Sequence, residues 1–352
     1  MRLPPVPSPD VEARRSAVAR YAELAIPAGG LGRLAELGCW LAAAQGACPP
    51  RPPARPRVVL VAADHGVAAA GVSAYPPDVT ARQVAAVREH TVPVAVLAPV
   101  AGASVRVVDV AVDHGADTDP VVDERYRVRA GSGRIDRVDA LTAEETERAI
   151  SVGRALADEE VDSGADLLVP ATLGVGATTP ASVLVATITG AEPVAVVGRG
   201  SGIDDETWMR KAAAVRDARR RARPHARDPL DLLRVAGGAD LAVVAGFLVQ
   251  AALRRTPVLL DGLVVGAAAL VADELAHGAR EWWLLAQRSP EPAMTLAAEH
   301  LGLPPLLDLH VRLEDGSGAL AAVPLLPMAA RLLAETATAV DSGIAPAAPV
   351  VV

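Results

Sequence analysis

Short apolar runs alternate with longer stretches of helical periodicity from residue 57 to residue 286. Residues 57–62, 104–112, 166–169, 193–198, 257–260 and 282–286 are compact and rich in Val, Leu and Ala, and they read as strands. Between them, residues 79–88, 142–163, 179–189, 204–222, 240–253 and 262–275 carry helical patterns. Thr142 and Glu145 have the spacing of a capping box. This βαβ rhythm predicts an α/β fold: a doubly wound, mainly parallel sheet flanked by helices. Residues 11–46 read as two helices broken at Ile26-Pro27-Ala28-Gly29-Gly30, and residues 291–339 are again mostly helical. The proline-rich stretch 49–56 is a stiff linker and the clearest boundary. The expected organisation is an N-terminal helical segment with linker (1–56), a large α/β domain (57–290) and a C-terminal helical segment with tail (291–352). The two ends together are expected to form a smaller helical lobe.

Composition sharpens this reading. Hydrophobic residues make up 51% of the 352, yet only 2% are aromatic, so the core must be built from Ala, Val and Leu. A net charge of −8, with the 34 basic residues scattered and mostly Arg, disfavours nucleic acid and anionic membranes as partners. Cys39 and Cys48 make no disulfide framework, and residues 1–10 have no apolar signal-like core, so a cytoplasmic address is expected. Residues 167–191 carry no charge, but Pro170, Gly174, Gly176 and Pro180 break them into strand, loop and helix rather than a membrane span. The histidines have no metal-type spacing, no nucleophile motif appears, and neither a metal nor a cofactor is implied.

In an open parallel sheet, ligands sit beyond the C-terminal strand ends. Five such places carry chemistry. Asp64-His65-Gly66 follows the first strand as a binding loop or a surface turn. Gly174-Val175-Gly176-Ala177-Thr178-Thr179 frees backbone N–H groups at a helix start for a phosphate, with Thr178 adding a hydroxyl or simply capping the helix. Gly198-Arg199-Gly200-Ser201-Gly202 leads to Lys211, which can meet an anion as a point charge. Asp261 ends a very apolar strand, either as a ligand to a ribose or as a helix cap. Glu314-Asp315-Gly316-Ser317-Gly318 sets two acids before a flexible turn, with a general base or a plain cap as the alternatives.

The order of these motifs, together with residues 27–33, 71–76, Val79-Thr80, Gly131-Ser132-Gly133 and 237–241, resembles the nicotinate-nucleotide–dimethylbenzimidazole phosphoribosyltransferase family over about residues 20–340. The resemblance implies a two-lobed homodimeric enzyme of cobalamin lower-ligand synthesis. Nicotinate mononucleotide would give its ribose phosphate to a benzimidazole nitrogen, forming α-ribazole 5′-phosphate and nicotinate. It implies phosphate or nucleotide contacts from Gly174, Val175, Gly176, Thr178, Lys211, Asp261 and Ser289. It implies an acceptor pocket from Gln83, Tyr75, Leu173 and Leu313. The family's base lies in a Leu-Gly-Glu-Gly-Ser/Thr-Gly motif, so the resemblance gives that role to Asp315, with Glu314 as an unfamiliar neighbour.

The chain departs from the family pattern at several points. Thr172 stands where an acid is usual, Ala177 where Asn is usual, Arg134 follows Gly133 in place of Asn, Ile26 replaces a Lys, and Gln287 replaces a His. These departures leave two other readings open: transfer to a different azole or a phenol, and a catalytically weak nucleotide-binding or regulatory paralog. The resemblance predicts a greater loss of activity from Asp315→Asn than from Glu314→Gln.

Overall fold

The computed structural model describes residues 4–115 and 123–344. Five parallel strands, β1 (Pro56–Ala63), β2 (Ser104–Ala111), β3 (Leu167–Leu173), β4 (Val258–Leu260) and β5 (Trp283–Leu285), form one sheet in the order β2-β1-β3-β4-β5. This is the order of an open doubly wound sheet whose connections reverse direction between β1 and β3. Alternate side chains of β1 serve different layers. Val59 and Val61 face a core shared with the helices Ala143–Asp162, Ala239–Leu253 and Gly262–Leu275. Val58 and Leu60 face a second core under Pro93–Val100, Ser317–Ala322 and Leu325–Glu335. Burial on both faces explains why these strands read as unbroken apolar runs.

The Ala143–Asp162 helix begins with the expected capping box between Thr142 and Glu145. It crosses Ala239–Leu253 at a glycine notch. A Cβ on Gly153 would lie 1.8 Å from the Val243 carbonyl oxygen, and one on Gly246 would lie 2.2 Å from that of Ile150. Both obstacles are backbone and cannot yield easily. Gly153→Ala is therefore expected to cost about 1–3 kcal/mol by overpacking, read as a lower midpoint in urea at unchanged slope.

Two expectations change. Residues 193–198 do not add a strand: Pro193 occupies the first position of a single helical turn, Pro193–Val196, a place that suits its fixed φ. The turn is held by Ser182 Oγ and Trp208 Nε1, which donate to the carbonyls of Val196 and Val197. In contrast, β3 runs four residues further than the sequence suggests, through Pro170 to Leu173. On its β4 side, Leu168 N–H donates to Pro257 and Thr172 N–H donates to Glu314. Pro170 falls between them, on the side where β4 pairs with β3 only at Leu168, so its missing donor is not needed there. The extra length delivers Thr172 and Leu173 directly to the site.

The terminal segments meet. Arg20 Nε donates to the Leu333 carbonyl at 2.6 Å, and Ala17, Cys39, Ala42 and Leu333 form a small core joining Val11–Glu23, Arg33–Gln45 and Leu325–Glu335. The uncharged stretch 167–191 is β3, a loop and the helix Thr178–Thr189. Among the described residues, the stretch long and apolar enough to span a membrane is Ser317–Glu335. It contributes Ala319, Leu320, Leu326 and Ala329 to the second core.

Candidate active site

A cavity of about 260 Å³ opens at the C-terminal end of the sheet, where the loops after β1 and β3 diverge. Its walls bring together nine of the residues to which the resemblance gives a site role: Tyr75, Gln83, Leu173, Gly174, Val175, Gly176, Thr178, Leu313 and Glu314. Thr172, Ser201, Val264, Glu291 and Arg312 also line it.

At one wall, the loop after β3 turns into the helix Thr178–Thr189. Gly174 packs so closely on the first strand's exit that a Cβ would lie 2.1 Å from the Ala63 carbonyl. The Val175 N–H donates to Thr80 Oγ1 at 3.1 Å, so this amide is already used and does not point at a ligand. Lys211 is the only lysine in the sequence; every other position of that charge type is arginine. It is 1% exposed and stands behind the cavity wall rather than on it, and its Nζ donates to Thr178 Oγ1 at 2.8 Å. Burial lowers its pKa, while the carboxylates of Glu291 and Glu314 partly restore the charged form.

Glu291 organises the neighbouring loop. Its Oε1 accepts from Gly200 N–H at 2.7 Å, while Oε2 is buried with no hydrogen-bond partner. A Cβ on Gly198 would lie 2.1 Å from that Oε2, so glycine is required for this approach. Ser201 then accepts from Ala74 N–H at 3.0 Å, tying the loop carrying Tyr75 to the loop over Lys211.

Glu314 has φ of 63°, a left-handed conformation that costs a residue with a Cβ on the order of 1 kcal/mol. That backbone turns its side chain to the start of the helix Gly262–Leu275. Oε2 accepts from Val264 N–H at 2.9 Å, and Oε1 is buried without a partner. Burial, with smaller contributions from Asp261 and Glu291, pushes the carboxyl up to about 7, against the pull of the Val264 and Leu263 amides. The result is a carboxylate near half-protonation at neutral pH with one free oxygen at the cavity.

Asp315, the base position implied by the resemblance, does not line the cavity. It is buried, and its Oδ1 accepts from Ser317 N–H at 3.0 Å, a local turn that uses the acid where it stands. Asp261 is also absent from the cavity wall. Its Oδ2 accepts from Ala319 N–H at 3.1 Å and its Oδ1 from Gln287 Nε2 at 3.0 Å, so it caps Ser317–Ala322 and anchors the acidic loop. Burial lifts its pKa to about 6. Ser289 borders a separate apolar groove and accepts from Glu291 N–H at 3.3 Å, which orients Glu291 rather than facing the cavity.

Arg312 and Val264 escaped sequence reasoning. Arg312 sits directly before the acidic motif, and its position was the only available signal; Val264 is one more apolar residue in an apolar helix. Glu291 was legible as the acid that, with Ser289, remains of the His-x-Ser-x-Glu segment implied by the resemblance.

A family model described as phosphoribosyltransferase matches residues 6–344. The nicotinate-nucleotide–dimethylbenzimidazole phosphoribosyltransferase of Mycobacterium avium is 55% identical over 98% of both chains. That of Mycobacterium tuberculosis is 54% identical over 97% of this chain and 94% of its own. The crystal structure of CobT from Thermus thermophilus superposes with a TM-score of 0.90 at 39% identity, covering 96% of this chain and all of that one. The chain belongs to the nicotinate-nucleotide–dimethylbenzimidazole phosphoribosyltransferase family.

Proposed function

We propose that the protein transfers the 5-phosphoribosyl group of nicotinate mononucleotide to 5,6-dimethylbenzimidazole, forming α-ribazole 5′-phosphate and nicotinate in cobalamin lower-ligand synthesis. One observation carries the mechanism: the free, buried Oε1 of Glu314 at the wall of a cavity that also holds the glycine loop and Thr178, whose hydroxyl is bonded to the buried Lys211 ammonium behind the wall.

The bond from ribose C1′ to the pyridinium nitrogen breaks, and its electron pair neutralises that nitrogen. No proton donor is needed, because the leaving group departs uncharged at nitrogen. The unprotonated azole nitrogen attacks C1′, and the other azole nitrogen loses its proton. Glu314 accepts that proton, and its raised pKa suits the task at neutral pH. Gly176, Thr178 and Lys211 hold the phosphate, with Arg312 as a second cation at the wall. Tyr75, Gln83, Leu173 and Leu313 give the azole a partly apolar slot.

The enzyme acts as a cytoplasmic homodimer of two-lobed subunits, the smaller lobe being the joined terminal helices. The test combines both substrates with purified protein and follows nicotinate and α-ribazole phosphate by chromatography. Equal amounts of the two products are expected, and sedimentation should give a mass near twice the 36.0 kDa chain. Absence of α-ribazole phosphate from about pH 6 to about pH 9 defeats the reading. Nicotinate release with another azole or a phenol, but not with dimethylbenzimidazole, would move the acceptor assignment.

A further inference from the structure

The loop that faces the phosphate-bearing substrate is not shaped by its own residues alone. Thr80 is the second residue of the helix Val79–Arg88 and is fully buried. Its Oγ1 takes the Val175 N–H at 3.1 Å, across 95 residues of sequence. The amide it takes lies in the middle of the Gly174–Thr178 loop, between the two glycines.

The carboxylate of Asp64 lies close to the Thr80 hydroxyl. Asp64 is itself fixed. Its Oδ2 accepts from Asp113 N–H at 2.8 Å, its own N–H donates to Ala111, and its carbonyl accepts from Ser132 N–H. Its Oδ1 is buried with no hydrogen-bond partner. Next in the chain, His65 Nε2 pairs with Asp240 Oδ2 at 3.0 Å, both side chains almost wholly out of solvent. The imidazole lies beneath Gly174, 3.5 Å from where a Cβ on that glycine would be. Thus the segment after β1 forms a floor beneath the loop, and Thr80 is the side chain that holds the loop's central amide.

We propose that Thr80 is a positioning residue for the phosphoribosyl donor: it draws the Val175 amide down so that the flanking backbone of Gly174 and Gly176 faces the phosphate. This rests on the donor being nicotinate mononucleotide, as proposed above. The tie acts on the donor side only. Thr80 does not line the cavity, and Gln83, the acceptor-side residue of the same helix, lies one turn further on.

Thr80→Val keeps shape and volume while deleting the acceptor; Thr80→Ser keeps the acceptor. Calorimetric titration with nicotinate mononucleotide, and steady-state KM for each substrate, read the difference. Thr80→Val is expected to weaken donor binding on the order of tenfold, with KM for dimethylbenzimidazole unchanged and Thr80→Ser close to wild type. Wild-type donor affinity in Thr80→Val overturns the inference. So does a loss shared equally by both substrates, or equal defects in the valine and serine variants, since those outcomes report general loosening. The binding measurement does not depend on product formation. A wild-type protein that binds the donor but makes no α-ribazole phosphate defeats the functional reading and leaves this test intact.

Discussion

Glu314→Gln is expected to lower kcat about 10²–10⁴-fold, the usual range for losing a general base, with KM for nicotinate mononucleotide little changed. Glutamine keeps an oxygen for the Val264 N–H and the same reach, so the substitution removes the proton acceptor and little else. The pH profile supplies the second readout. Wild-type kcat should fall about tenfold per unit below pH about 7, where the raised carboxyl takes up its proton, and this acid limb should vanish in the variant's residual rate. Stability should move the other way. The folded protein holds Glu314 protonated to a higher pH than the unfolded chain does, so ionising it opposes folding. That cost is absent below the ordinary pKa of 4.5 and complete above about 7. At pH about 8 the variant should therefore melt no lower than wild type, which separates lost chemistry from lost fold. Asp315→Asn is expected to do the reverse: its side chain serves the Ser317 amide, so the cost should fall on stability more than on turnover. A larger kcat loss from Asp315→Asn would return the base to Asp315.

The preference for Glu314 over Asp315 as the proposed base has a physical cause. Motif register gives backbone position, and it gave Asp315. Side-chain direction depends on φ, and a non-glycine residue at 63° points where ordinary backbone would not take it. The resemblance implies glycine at position 314 and an acid at position 172, whereas this chain has Glu314 and Thr172. The two positions are adjacent in space, since Thr172 N–H donates to the Glu314 carbonyl. An acid therefore stands on the segment bonded to the one where the resemblance implies an acid, a proximity visible only once the two segments are side by side. The layers and the glycine loops were legible because apolar period and strand-end glycines are local signals. By the same logic Asp261, Val175 and Ser289 read as ligand contacts, but their polar atoms are engaged by Ala319, Thr80 and Glu291. A sequence shows that a polar group is present; whether another part of the protein already satisfies it depends on partners 2 to 95 residues away.

Lys211→Met is expected to cut kcat/KM for nicotinate mononucleotide about 10²–10³-fold, mostly through KM, in line with about 2–5 kcal/mol for losing one partner of a buried charge-assisted contact. The charge is expensive to keep where it is, as its lowered pKa records, and two carboxylates are placed to sustain it. A chain that uses arginine at every other such position yet keeps one lysine here points to a slot that guanidinium does not fit. The geometry supplies the reason: a Cβ added at Gly200 would already lie 3.1 Å from both Lys211 Nζ and Thr178 Oγ1, so the ammonium is closely enclosed. Lys211→Arg should therefore resemble Lys211→Met in donor affinity instead of rescuing it, and Gly200→Ala should weaken the donor in an otherwise native background. The pH dependence follows the same sign. Because burial shifts the ammonium toward deprotonation, KM for the donor should begin to rise at a lower pH than an ordinary lysine would give. Near-native donor affinity in Lys211→Arg would show that the slot selects for charge alone and that its tight packing does not decide the residue.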